Sequence, residues 1–310
     1  MKRFKNILYV VNPDDEAACA LERAATLAEN NEASLTVVTV VPALAASGVL
    51  RGLALTVDAL QSAMVGEAER HLEGFVAPWR GRVEIEKRVL VGTGFLEVIR
   101  EVLRNDRDLV VKCAGSEGLL GGLLGSEDMH LLRKCPCPVM TTPRGEEVTI
   151  RRVLATIDAA AEDEVHTALN AEILGAALRV SRRTGAELHV AYAWYFPGGS
   201  LLSERGVSDE TVHDLGRRQR EYHGDLFRKA MLVLDDQASA FQRHLIEGKP
   251  GLVIPSFARE KEMDLIVMGT VTRTGIAGYF SGNTAEDVLG RVGCSVLAIK
   301  PPGFVTPVEL

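Results

Sequence analysis

Short apolar runs and amphipathic runs alternate along this chain, and the alternation predicts strands and helices in turn. Ile7-Leu-Tyr-Val-Val11 has the length of a buried strand. Residues 15–30 then place Ala18, Leu21, Ala25 and Ala28 at helical spacing, and Ser34 to Val41 is a second strand stopped by Pro42. Residues 43–80 combine an apolar loop with a helix marked by Leu60, Met64 and Leu72. A third strand is predicted from Val83 to Leu90, closing near Gly92-Thr-Gly94. Phe95, Val98, Ile99 and Val102 give the inward face of the next helix, and Leu109 to Val111 is a fourth strand.

The pattern occurs twice. Ile7-Leu-Tyr-Val-Val-Asn12 matches Val153-Leu-Ala-Thr-Ile-Asp158, and Leu35-Thr-Val-Val matches Leu188-His-Val-Ala. Asp108-Leu-Val-Val111 matches Asp264-Leu-Ile-Val267, and Cys137-Pro-Val-Met140 matches Cys294-Ser-Val-Leu297. A period of about 150 residues is a duplicated domain, not a solenoid. Strands alternating with helices imply, in each half, a parallel sheet with crossover helices. The polar stretch Thr142-Pro-Arg-Gly-Glu-Glu147 reads as the linker. It divides the chain into domains at 1–145 and 150–302, with a tail at 303–310. In the second half a helix is expected over 162–184, closed by Gly185. A loop follows from Pro197 to about Asp209, then a polar helix from Thr211 to Leu234.

Composition narrows the partners. A net charge of -7 over 310 residues opposes nucleic acid, which needs a concentrated basic face. Arg217-Arg218-Gln219-Arg220 is the best basic candidate and reads as a solvated helix face. No apolar run reaches the length of a membrane span, and the opening apolar run is too short for a signal peptide. Five cysteines without framework spacing fit reduced thiols in the cytoplasm. Cys135-Pro-Cys137 lacks the second His/Cys pair of a metal site and reads as two thiols flanking a buried strand. His213, Glu221, His223 and Asp225 form no clean i, i+4 ligand pair and read as a solvated face.

The densest chemistry lies between Asp264 and Lys300. A strand, Leu265-Ile-Val-Met268, runs into Gly269 and a Thr/Gly-rich loop that closes at Gly282-Asn283. Asn283 with Glu286 three residues on is a capping-box pattern, so a helix starts there, and Ser295 to Ile299 is the final strand. Strand, glycine loop and helix start together form an arrangement suited to phosphate. This loop resembles the nucleotide loop of universal stress proteins, whose pattern is Gly, two residues, Gly, nine residues, Gly, then Ser or Thr. Gly269 and Gly282 hold the outer positions, Thr272 replaces the middle glycine, and Asn283 with Thr284 behind it replaces the Ser/Thr. The GTVTRTGI and GNTAE segments, the DMHLLRKCPCPV stretch and the TPVEL tail resemble the E-type tandem members of that family.

The resemblance implies two open, mostly parallel α/β domains of Rossmann-like, adenine nucleotide alpha hydrolase-like type. They would pair within the chain through their last strands as a pseudo-dimer, each covering the other's edge. Halves expressed separately are therefore expected to self-associate; two stable monomers in sedimentation would count against the pairing. No unclaimed apolar stripe forces a further homodimer. The resemblance also implies a cytoplasmic stress-response role, resistance to DNA damage and oxidative stress included. Its ligand would be ATP or another adenine nucleotide, with Mg2+ if ATP. Asp158, at the end of the first strand of the second half, would accept from ribose hydroxyls or the adenine amine. Ala193, Gly269, Thr272, Arg273, Gly282, Asn283 and Thr284 complete the ligand-binding residues. The alternative for Asp158 is that it caps a turn, with the glycines serving only tight backbone.

The first half has diverged. Asn12 stands where Asp158 does, Cys113 where Gly269 does, and Glu127 and Asp128 follow Gly125-Ser126 directly. Two carboxylates in a helix's first turn occupy its dipole and repel phosphate, so this loop reads as structural. No GxxxxGK[ST], GxSxG or HExxH occurs, and no general base is placed by sequence, so no enzyme is expected. Two further readings stand beside the binding protein: a slow ATP hydrolase, and a carrier of an amphipathic or acyl ligand lined by Ala43-Leu-Ala-Ala-Ser-Gly-Val-Leu50 and Leu53 to Val57.

Overall fold

A computed structural model describes residues 4–11, 19–44, 56–114, 126–144, 149–161, 163–196, 198, 202, 205–237, 241–270 and 283–310. These fall into two compact units, each built as the repeat predicts.

The first unit contains β1 (Asn6–Val11), α1 (Cys19–Asn31), β2 (Ser34–Val41), α2 (Val57–Val76) and β3 (Ile85–Val91), then α3 (Gly94–Arg104), β4 (Leu109–Cys113), α4 (Ser126–Lys134) and β5 (Val139–Thr142). Its strands lie in the order β3-β2-β1-β4-β5 and all pair in parallel. β1 is central, with Ile7 opposite Leu35 on one side and Leu109 on the other. Ile7, Leu8 and Tyr9 are consecutive and fully buried. A parallel sheet covered on both faces buries every residue of its central strands, so they read as unbroken apolar runs.

The second unit contains β6 (Arg152–Thr156), α5 (Glu164–Thr184), β7 (Glu187–Trp194), α6 (Asp209–Ala230) and β8 (Phe241–Glu247), then α7 (Pro250–Glu260), β9 (Leu265–Gly269), α8 (Asn283–Leu289) and β10 (Ser295–Ile299). The order is β10-β9-β6-β7-β8, again parallel. Local chemistry sets several boundaries. Asp163 caps α5 by accepting from the His166 N–H at 2.9 Å, and Gly185 closes it in the left-handed conformation at φ 72°. α6 begins at Asp209, two residues before the sequence expectation, because the Ser208 hydroxyl caps it from 3.3 Å. Beyond α6 the chain tightens to a 3-10 turn over Met231–Gln237, where the sequence pattern predicts continued helix.

Other differences have physical reasons. β3 starts at Ile85 and not at Val83, because the preceding residues belong to a turn. The apolar pattern does not single out β8 or α7: β8 is half polar, and α7 carries Pro255 inside it. The segment Val305–Leu310 is not a separate tail but belongs with the first unit. Val308 is almost fully buried, and the Arg100 Nε donates to the Glu309 carbonyl at 3.0 Å. The linker residues 145–148 and the apolar stretch 45–55 lie outside the described residues. No described helix is long and apolar enough to cross a membrane.

Candidate functional site

In the second unit the chain builds β6, β7 and β8 outward on one side, then returns to lay β9 and β10 on the other. The direction of winding therefore reverses between β6 and β9. In open parallel sheets ligands bind beyond the carboxyl ends of strands at such a switch point. Thr156 of β6 lies opposite Met268 of β9, so the residues that follow, Asp158 and Gly269-Thr270, emerge side by side there. Ala193, half-buried near the end of β7, sits opposite Ile246. Thr284 is exposed in the first turn of α8, and Asn283 is that helix's first residue. Thr272, Arg273 and Gly282 lie outside the described residues.

Asp158 is held by its backbone. Its N–H donates to the Asn170 side-chain carbonyl at 3.2 Å, and the Asn170 amide donates to the Asp158 carbonyl at 2.8 Å. One carboxylate oxygen accepts from the Ala160 N–H at 3.2 Å. The turn-capping role is therefore present, and it fixes the side chain beyond β6. Sequence reading missed Asn170, which sits mid-helix in α5; a polar residue on an otherwise apolar helix face was the available signal.

Gly269 has a packing reason for lacking a side chain. An added Cβ would come within 2.7 Å of Leu169 Cδ2 and 3.5 Å of Ile173 Cδ1, so the glycine lets α5 approach β9 closely. That packing role explains the bare backbone at Gly269 independently of any ligand.

A cation missed by sequence reading stands next to this loop. Lys300 follows β10, is 7% exposed, and donates to the hydroxyl of buried Thr270. Its ammonium also lies 5.0 Å from the centre of the Phe304 ring. The first unit has a counterpart, Arg144, whose Nε donates to the Ala114 carbonyl at 3.1 Å. In both units a basic residue after the last strand ties down the residue that opens the loop. A lysine ending an apolar run was the signal.

The first unit's version of the site is differently wired. Lys112 on β4 and Asp128 on α4 form an ion pair with both side chains buried. Asp128 and Glu127 both lie in the first turn of α4, as the sequence predicts, and Asp128 in addition pairs with a buried cation that sequence reading did not connect to it. Met268 and Ala285 hold the matching places in the second unit.

Among the described residues no group of three or more His, Cys, Asp or Glu is placed to hold a metal. The Cys135 and Cys137 sulfurs lie 3.5 Å apart and buried. That thiol contact, with burial, pushes the Cys137 pKa well up, and burial pushes Cys294 to about 12. Such thiols are poor nucleophiles. His223 is not a solvated residue: its Nδ1 is 2.7 Å from the Tyr192 hydroxyl, and its ring stacks on Trp194 at 5.1 Å. Arg217 and Arg218 are exposed and both pair with Asp214, as a solvated face should.

A family model described as "Universal stress protein family" matches residues 3–143 and again 149–300. The Universal stress protein E homolog of Haemophilus influenzae is 29% identical over 311 residues, covering 96% of this chain and 98% of its own. Universal stress protein E of Escherichia coli K12 is 32% identical over 219 residues, 70% of this chain and 68% of its own. Among solved structures, a functionally unknown protein from Pseudomonas aeruginosa PAO1 superposes with a TM-score of 0.70 at 24% identity, covering 96% of this chain and 93% of that one.

Proposed function

This chain belongs to the universal stress protein family and carries its domain twice, E-type in arrangement, and from that premise we propose that it is a cytoplasmic stress-response binding protein. It would carry one adenine nucleotide, in the second unit, and act through conformation or partners. The observation that supports this most is the convergence of Asp158 and Gly269-Thr270 at the switch point between β6 and β9. An ionised Asp158 would accept from ribose or adenine donors. The loop N–H groups from Gly269 to Gly282 would meet the phosphates, with Lys300 close by as a cation and Arg273 a second within the loop. If the ligand is ATP, Mg2+ would enter with it on the phosphates; the described residues offer no metal cage of their own.

Binding without turnover is the expected activity. This rests on the sequence, which carries no recognised catalytic motif, and on Asp158, one of whose carboxylate oxygens already accepts from the Ala160 N–H. Ligand that co-purifies with the full chain is expected to be an adenine nucleotide by mass spectrometry, with at most trace hydrolysis on incubation. Steady turnover that survives repurification and disappears in Asp158→Ala would overturn the binding-protein reading. An acyl lipid in place of a nucleotide would favour the carrier.

A further inference from the structure

The two units match position for position along their outermost strand and the helix after it. Gly92 and Gly248 open the corresponding turns, and their N–H groups donate to the last residue of the neighbouring strand, Val41 at 2.9 Å and Trp194 at 2.8 Å. β3 and β8 have the same length and the same alternation of burial, and α3 and α7 are both 11 residues long. In the first unit the face between strand and helix is ionic. Thr36 donates to Glu86 at 3.0 Å, Arg88 reaches Glu86 at 2.8 Å and Glu101 at 3.4 Å, and Arg107 donates to Glu101 at 2.7 Å. The second unit has His189, His244, Phe257 and Met263 where the first has Thr36, Arg88, Glu101 and Arg107.

His189 lies opposite Gln242 and Ala191 opposite His244, so the two imidazoles are diagonal neighbours on one face of the sheet. His189 Nδ1 and His244 Nε2 are 3.0 Å apart. The rings are within 11° of parallel with centres 5.2 Å apart, so they meet edge to edge and one N–H lies along the facing lone pair. Phe257 of α7 packs on His244 at 4.7 Å. Three charges act on the pair. The exposed Glu187 carboxylate on β7 is 3.5 Å from His189 Nε2, while Arg152 on β6 and Lys261 after α7 oppose any added positive charge. Arg152 is itself paired with Glu262, and Lys261 with Glu260. Phe257, standing in the place of buried Glu101, offers a proton on His244 no counter-ion. Burial holds both rings below the usual imidazole range.

We propose that His189 and His244 form an acid-sensitive latch that fastens edge strand β8 and α7 to β7, closed while the rings share one N–H and opened when both are protonated. With both rings protonated, each nitrogen of the contact carries a hydrogen, and two donors face each other without an acceptor. Rings that stay neutral in the fold take up protons only as β8 detaches, where their pKa returns to about 6.5. The latch is therefore fully closed above that pH and weakens as pH falls below it, the opening equilibrium changing up to about tenfold per pH unit for each proton taken up. At the matching face of the first unit an arginine and a threonine stand in place of the imidazoles, and neither titrates in this range. The latch does not rest on nucleotide binding.

Hydrogen exchange of the full chain tests this, read as protection factors so that the pH dependence of intrinsic exchange cancels. Between about pH 7.5 and 5.5 the β8 amides paired with β7 are expected to lose at least about tenfold in protection, while those of β3 change by less than about twofold. His189→Asn/His244→Gln places an amide at each nitrogen of the contact and cannot titrate, so its β8 protection should be equal at the two pH values. NMR of histidine-labelled chain gives a reading that needs no variant: both rings are expected to stay neutral at about pH 6.5, where a free imidazole is half protonated. Unchanged β8 protection, an equal loss in the double variant, or two rings titrating independently near the free value would each overturn the proposal.

Discussion

Lys112→Met is expected to cost the first unit about 3–5 kcal/mol, because it removes the cation from a carboxylate that is only 1% exposed. The change takes away the cation that pairs with Asp128, and the carboxylate stays buried. The double variant Lys112→Met/Asp128→Ala should behave differently. It installs the pair that the second unit already has, Met268 and Ala285, and a buried ion pair replaced by well-packed apolar groups is often neutral. Chemical denaturation of the single and double variants closes a double-mutant cycle. Most of the loss should be recovered in the double. A single variant within about 1 kcal/mol of the parent would show that the pair is solvated in solution, since exposed ion pairs are worth that little. The exposed pairs of Arg217 and Arg218 with Asp214 supply that comparison within the same protein.

Calorimetric titration with ATP and Mg2+ is expected to give one site per chain, and Gly282→Leu should weaken it more than tenfold. On the proposed nucleotide reading, a bulky side chain at Gly282 would take away the bare backbone that a phosphate needs for close approach. Losing two charge-assisted hydrogen bonds, at about 1.5–3 kcal/mol each, accounts for that loss and more. The matching change, Gly125→Leu, should leave affinity within a factor of about two, because distant sites do not couple. The asymmetry follows from the residues around each loop. The second unit has Asp158 fixed by Asn170 and Lys300 beside Thr270. The first has Asn12, a neutralised Lys112 and the Glu127 carboxylate over Gly94. A stoichiometry of two, or equal sensitivity to the two glycine changes, would mean that the first loop is a phosphate site after all.

Sequence by itself determined the architecture of this protein. Ile7 to Val11 and its copy at Val153 announce central strands because a parallel sheet covered on both faces leaves no position polar. Asp163 and Gly185 mark the ends of α5 because capping chemistry is local. The repeat and the spacing of Gly269 and Gly282 pointed to the family and to the half of the chain worth testing. Elements that depend on remote partners were not legible. β8 and α7 lack a clean apolar period, and their positions are set by β7 and the helices around them. Val305–Leu310 looked like a loose end until its partner Arg100, some two hundred residues earlier, was in place. The site's wiring was likewise decided by tertiary structure. No spacing rule joins Lys112 to Asp128, Asn170 to Asp158 or Lys300 to Thr270, since each pair meets only when helix and sheet pack or when neighbouring strands align. Gly269 makes the same point: its sequence position suggests a ligand, and only the approach of Leu169 shows that the fold needs that bare backbone for itself.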